Sequence, residues 1–177
     1  MSVTTLIVGL GSPHGDDQIG WRVAERLALE RESACGASGL RGPLAPQADC
    51  TITIRTASSP ADLLDWLEGV ERLIVCDACQ AVGSPGTVHC WRWPEAPLGR
   101  LRSSGSHDLS LAEVLTLAEE LRSLPGEVII WAVESRTCQC GAAMSAEAAT
   151  AVAQTSEEIG RSLPGPSQDR TTAYGYS

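Results

Sequence analysis

Apolar and polar positions along this chain change rhythm several times. From Val3 to Val8 the run is continuously apolar and closes on Gly9 and Gly11, which predicts a buried strand ending in a tight turn. From Asp16 to about Arg31 the period becomes helical, with Ile19, Val23 and Leu27 on one stripe and Asp16 or Asp17 placed to act as N-cap. Residues 33–49 are rich in Gly, Ala, Pro and Ser and predict a long loop. CTITIRT (50–56) then alternates as a second strand, and PADLLDWLEG (60–69) predicts a short helix with Pro60 in its first turn.

RLIVCDA (72–78) is an apolar run closed by an acid, the pattern of a central parallel strand buried on both faces. GTVHCWRW (86–93) alternates after Ser-Pro-Gly, which places it nearer an edge and allows an antiparallel direction. A Pro-, Gly-, Arg- and Ser-rich loop leads through Ser106-His107-Asp108 to a helix whose Leu111, Val114, Leu115, Ala118 and Leu121 share a face. Ser110 and Glu113 have the spacing of a capping box there. EVIIWAV (127–133) predicts a last strand, and Ser145 to about Arg161 a last helix. Strands and helices thus alternate. The fold class expected is α/β, a three-layer doubly wound sandwich with a mainly parallel sheet of about five strands. One domain is expected over residues 1–161, with 162–177 a disordered tail that has no apolar period.

Composition narrows the chemistry. The net charge of −9 disfavours nucleic acid and anionic membrane and favours a cation or a neutral or basic partner. No apolar run reaches the roughly 18 residues of a membrane span or follows a basic start, so a cytoplasmic protein is expected. The chain has no lysine, which excludes a P-loop lysine, Schiff-base chemistry and a lysine base. Seven cysteines (35, 50, 76, 79, 90, 138 and 140) are an odd number, read as free thiols rather than a disulfide framework.

In a doubly wound sheet, ligands sit beyond the carboxyl ends of the strands, where strand order reverses. That edge receives Asp16 and Asp17 after the first strand, Asp77 at the end of the third, and His107 just before a helix. The dinucleotide fingerprint fails, because His14 stands where its third glycine is needed. Acids at the helix start would also repel a pyrophosphate. Two carboxylates and an imidazole form an O, O, N donor set suited to nickel, zinc or manganese, with positions open for water or substrate. Each residue also has a plain structural reading: Asp16 or Asp17 as a cap, Asp77 as a loop fixer, His107 as an incidental loop residue.

Gly9-x-Gly11, Gly15-Asp16-Asp17-x-x-Gly20, LIVCDA with Asp77, Pro-Gly-Thr at 85–87 and Ser106-His107-x-Leu109-x-Leu111 occur in order. Together they resemble the nickel-iron hydrogenase maturation endopeptidases. The resemblance extends to WAVES (131–135) and MSAEAATAV (144–152), and covers residues 3–160 or so. It implies that Asp17, Asp77 and His107 are the metal-binding and catalytic residues. It also implies an endopeptidase that removes the C-terminal extension of a nickel-iron hydrogenase large-subunit precursor after nickel insertion. The precursor is then the partner and the nickel is carried by the substrate, with another divalent metal as the alternative. Two roles for the metal are physically open, recognition of the loaded ion or Lewis-acid polarisation of the scissile carbonyl and a water, and the two together are the reading favoured here. Members commonly carry Asp-Gly-Gly after the second strand. This chain has Arg55-Thr56-Ala57, and Ser12 in place of the usual Asn of the first loop. A non-catalytic nickel-site checkpoint or chaperone of the same fold is the alternative reading.

Cys76-x-x-Cys79 with Cys138-x-Cys140 offers a rival four-thiolate zinc site, against which Cys76 sits inside a buried run. No Gly-x-Ser-x-Gly elbow or His-Glu-x-x-His occurs. Glu134, at a strand end, reads as a fourth site acid or as the partner of an arginine. His14 and His89 read as surface or structural, and the five tryptophans as core and interface filling.

Overall fold

A computed structural model describes residues 3–36, 50–80, 83–95, 109–136 and 139–164. Five strands form one sheet: β1 (Val3–Leu10), β2 (Cys50–Ala57), β3 (Arg72–Cys79), β4 (Val88–Arg92) and β5 (Glu127–Glu134), in the order β2-β1-β3-β5-β4. The pairs β1–β2, β1–β3 and β3–β5 are parallel, and the edge strand β4 runs antiparallel to β5. Hence RLIVCDA is the central strand its unbroken apolar run predicts. Alternating GTVHCWRW is the antiparallel edge, with one side of the pleat wetter than the other.

The two-residue period of each strand sends its side chains into two separate cores. On one face Ile7, Ile74, Cys76, Ala78 and Val133 meet Ile19, Val23 and Leu27 of α1 (Ile19–Gly36) and Ala148, Ala151, Val152 and Ile159 of α3 (Ala146–Ser162). On the other, Leu6, Val8, Leu73, Val75 and Ile130 meet Leu111, Val114, Leu115 and Ala118 of α2 (Leu111–Glu120), and Leu63 of a short 3-10 helix (Pro60–Asp65). Three layers result, with the helices split two to a face, as expected of the doubly wound class.

Element ends follow local chemistry. The capping box at α2 is complete: Ser110 Oγ accepts from the Glu113 N–H at 3.3 Å, and Glu113 Oε2 accepts from the Ser110 N–H at 2.8 Å. PADLLDWLEG forms a 3-10 rather than an α-helix, with Ser59 and Asp62 as its own capping box and Pro60 at its start. The last helix runs one residue past the expected end, and Leu163 beyond it is buried in the α1/α3 core, so the packed domain extends past 161. The expected tail beyond 164, most of the 33–49 loop, and Ser106, His107 and Cys138 lie outside the described residues. Among the described residues no helix is long and apolar enough to cross a membrane.

Strand order fixes where a ligand can sit. From β1 the chain passes over one face, through α1, to β2. From β2 it returns over the other face, through the 3-10 helix, to β3. The chain leaves β1 toward β2 and leaves β3 toward β4 and β5, in opposite directions along the sheet, so the switch point where such sheets form a ligand crevice lies beyond the carboxyl ends of β1 and β3.

Candidate functional site

The first loop can reach that crevice because two glycines let backbone touch backbone. A Cβ on Gly9 would stand 2.0 Å from the Gly20 carbonyl oxygen. One on Gly20 would stand 2.0 Å from the Leu10 oxygen and 2.4 Å from the Cys76 oxygen. The first turn of α1 thus lies directly on the ends of β1 and β3, closer than any side chain permits. Gly20 touches the residue that precedes Asp77, which brings the Asp16-Asp17 turn beside the end of β3.

The two acids of that turn part company. Neither caps the helix in the expected way: Gly15–Gln18 form a 3-10 turn ahead of α1, and its N-cap, His14, makes no side-chain capping bond. Asp16 is instead fully buried and bonds across the fold. Its Oδ1 accepts from the Ser145 N–H at 2.7 Å, and its Oδ2 accepts from the Arg136 N–H at 2.7 Å and the Ser145 hydroxyl at 3.0 Å. Ser145 is in turn the N-cap of α3, its Oγ accepting from the Ala148 N–H. The buried carboxylate therefore ties the first loop to the β5–α3 loop. A second tie runs from the Gly15 N–H to the Ala142 carbonyl at 3.0 Å. Asp17, in the same turn, stays half-buried, and none of those bonds involves its carboxylate.

Asp77 is also partly open to solvent, and its Oδ1 accepts the N–H of Ala78 at 2.8 Å. Removal from water pushes its carboxyl up to about 8, and the neighbouring negative charge of Asp17 pushes in the same direction; the Ala78 bond opposes both. A carboxylate whose proton is held more tightly because another carboxylate lies beside it marks a place where a cation is favourable. In the β3 alternation Leu73, Val75 and Cys79 face α2, and Asp77 falls on the same side by its two-residue spacing. His107 stands four residues before the start of α2 in sequence, and its own position is outside the described residues.

A second cluster lies on the same face, two residues along β3. Cys79 Sγ, a ring nitrogen of His89 and a carboxylate oxygen of Glu134 all lie within 4.8 Å of one another. In the sequence these three stand apart: Cys79 as half of a Cys-x-x-Cys, His89 as a surface or structural histidine, and Glu134 as a fourth site acid or the partner of an arginine. Sheet register unites them: Cys79 pairs with Glu134 across β3–β5, and His89 with Ala132 across β4–β5. Glu134 meets His89 Nε2 at 3.1 Å and accepts the Gly83 N–H at 3.0 Å. No signal within one segment joins residues whose only link is the pairing of three strands.

Other expectations resolve physically. Cys76 and Cys79, three residues apart on a strand, face opposite sides of the sheet and cannot close on one metal ion or one disulfide. Burial, with the charge of Asp77 second, pushes the Cys76 thiol up and keeps it protonated. Of the residues that replace Asp-Gly-Gly, Arg55 lies over the Trp66 ring, 4.7 Å from its centroid. The Ala57 carbonyl accepts from Gly11 N–H at 3.1 Å and Trp21 Nε1 at 2.9 Å, fastening the first loop to β2. Trp66, Trp91 and Trp93 pack on the α2-side core and Trp131 on the other, as filling. His14 Nε2 lies 3.9 Å from Cys140 Sγ at the surface.

A family model described as hydrogenase maturation protease matches residues 54–162 of the chain. Solved structures of the same fold include the hydrogenase maturating endopeptidase HybD from E. coli, 20% identical, with a TM-score of 0.66 over 89% of this chain and 90% of that one. The NiFe hydrogenase maturation protease HycI from Thermococcus kodakarensis is 19% identical, with a TM-score of 0.62 over 90% and 91% of the two chains. A hydrogenase 2 maturation peptidase from a Thaumarchaeota archaeon is 20% identical, with a TM-score of 0.56 over 90% and 97%. No curated protein sequence is significantly similar to this chain.

Proposed function

This chain belongs to the hydrogenase maturation protease family and is a peptidase of that maturation; on that footing we propose that it removes the C-terminal extension of a nickel-iron hydrogenase large-subunit precursor once nickel has been inserted. The nickel arrives with the substrate, and Asp17, Asp77 and His107 meet it. The observation that carries this reading is the electrostatic contact of Asp17 and Asp77 at the switch point of the sheet.

The charge pattern supplies a reason for waiting until the metal is loaded. Without a cation the two carboxylates oppose each other, and the Asp77 carboxyl holds a proton near neutral pH. A divalent ion presented by the substrate favours both carboxylates, and the proton leaves to solvent. A precursor without metal offers no such gain and binds less well. The ion, once held between substrate and protein, supplies Lewis-acid polarisation of the scissile carbonyl or of a water. Arg55 and Ala57 are engaged with Trp66, Gly11 and Trp21, so the positions where the resemblance expects Asp-Gly-Gly serve here to fasten β2 to its neighbours.

The test is to incubate nickel-loaded and nickel-free precursor of the partner large subunit with the protein and to weigh the products. Loss of a C-terminal peptide from the loaded form alone, abolished by Asp17→Asn and by His107→Ala, is the expected result. Tight binding with unchanged mass would overturn cleavage in favour of a checkpoint or chaperone.

A further inference from the structure

We propose that Cys79, His89 and Glu134 form a second metal site, separate from the Asp17–Asp77 pair, which takes a borderline divalent cation such as zinc. The proposal does not rest on the peptidase reading. Three donor types, one thiolate sulfur, one imidazole nitrogen and one carboxylate oxygen, already lie within 4.8 Å of one another. Ligand atoms around a tetrahedral zinc sit roughly 3.3–3.8 Å apart, as follows from bonds of about 2.3 Å to sulfur and 2.0–2.1 Å to nitrogen and oxygen. The His89–Glu134 separation of 3.1 Å is close to this range, so modest side-chain movement closes the set.

The supports of the three donors are those a metal site needs. Glu134 is buried, and its Oε1 accepts the Gly83 N–H. The His89 ring is stacked on Trp91, with centroids 4.9 Å apart and planes 11° from parallel, which fixes its plane. Cys79 is held on a central strand, and its carbonyl accepts both the N–H and the hydroxyl of Ser135, the residue after Glu134. That bond locks the ends of β3 and β5 together beside the site. His89 is partly exposed and provides the way in from solvent.

The same three side chains resemble a thiol-hydrolase set of nucleophile, base and orienting acid. Burial decides against it, because Cys79 is 0% exposed and a peptide carbonyl cannot reach its sulfur. A single ion entering past His89 can. On binding, the S–H bond of Cys79 is exchanged for an S–metal bond and one proton passes to the buffer. The neutral imidazole and the Glu134 carboxylate add their lone pairs. A thiolate and a carboxylate then balance the two charges of the cation, so the buried site is neutral overall. These three ligands, all among the described residues, leave the fourth position of a tetrahedral ion to water or a further donor.

The full chain, stripped of metal under reducing conditions, is titrated with cobalt(II), and zinc(II) affinity is measured by competition. A thiolate-to-cobalt charge-transfer band saturating at one equivalent is expected. Asp17→Asn combined with Asp77→Asn should retain the band, which separates this site from the proposed nickel-recognition site. Cys79→Ser should remove it, and His89→Gln should weaken zinc binding at least about tenfold. If Cys79→Ser fails to fold by circular dichroism, the partly exposed His89 variant decides by the same affinity measurement. Absence of the band in the native chain, its survival in folded Cys79→Ser, or unchanged zinc affinity in His89→Gln overturns the proposal.

Discussion

Asp16 reaches across 129 positions of sequence to accept the Ser145 N–H at 2.7 Å, holding the start of α3 against the turn after β1. The next residue, Asp17, stays partly exposed, and its charge pushes the Asp77 carboxyl up. One acidic dipeptide thus carries two jobs, one inward and one outward.

The inward job makes Asp16→Asn costly to the fold. An amide places N–H groups opposite the N–H of Arg136 or Ser145, so at least one charge-assisted bond becomes a repulsion. A loss of about 3 kcal/mol in unfolding free energy is expected, read from denaturant midpoints. A loss under about 0.5 kcal/mol would mean the buried carboxylate contributes little to closing the loops.

Asp17→Asn should behave in the opposite way. Its side chain is half-exposed, so the denaturant midpoint should stay close to that of the native chain. Cleavage of nickel-loaded precursor should fall about 10²-fold or more, the scale at which a preorganised charge acts on a reacting centre. Equal losses of stability in the Asp16 and Asp17 variants would contradict this division.

Acidity provides a third check, through Asp77. Its carboxyl is raised from 3.8 to about 8, chiefly by burial and then by Asp17. Between those values the folded chain retains a proton that the unfolded chain has released, so this group's contribution to stability is present at acid pH and lost as pH rises through about 8. Asp77→Asn carries no such titration. Its melting temperature, relative to the native chain, should rise from pH about 4 to pH about 9. Parallel melting curves across that range would count against the raised carboxyl.

Gly20→Ala tests the close approach that builds the crevice. The added Cβ meets backbone oxygens of two strands, at 2.0 and 2.4 Å, and neither can swing aside as a side chain would. Destabilisation of about 3 kcal/mol is expected, together with loss of cleavage. Gly160→Ala, an α3 position with open space around its would-be Cβ, is the control and should be neutral or mildly stabilising.

Much of this was written locally. The continuous run Arg72–Ala78, the alternation around His89, and the helical stripes of Ile19-Val23-Leu27 and Leu111-Val114-Leu115 fixed element type, order and burial, because each is a period within one segment. With the right alternation of strands and helices, the carboxyl edge and the placement of Asp17 and Asp77 near it followed. Partnership was not local. That Asp16 ties to Ser145 and Arg136 rather than capping its own helix depends on two loops meeting at a buried point where backbone N–H groups and a hydroxyl converge on the carboxylate. That Cys79 leaves Cys76 and joins His89 and Glu134 depends on the register of three strands. A sequence states which face a residue prefers; only the packed sheet decides which other residues it finds there.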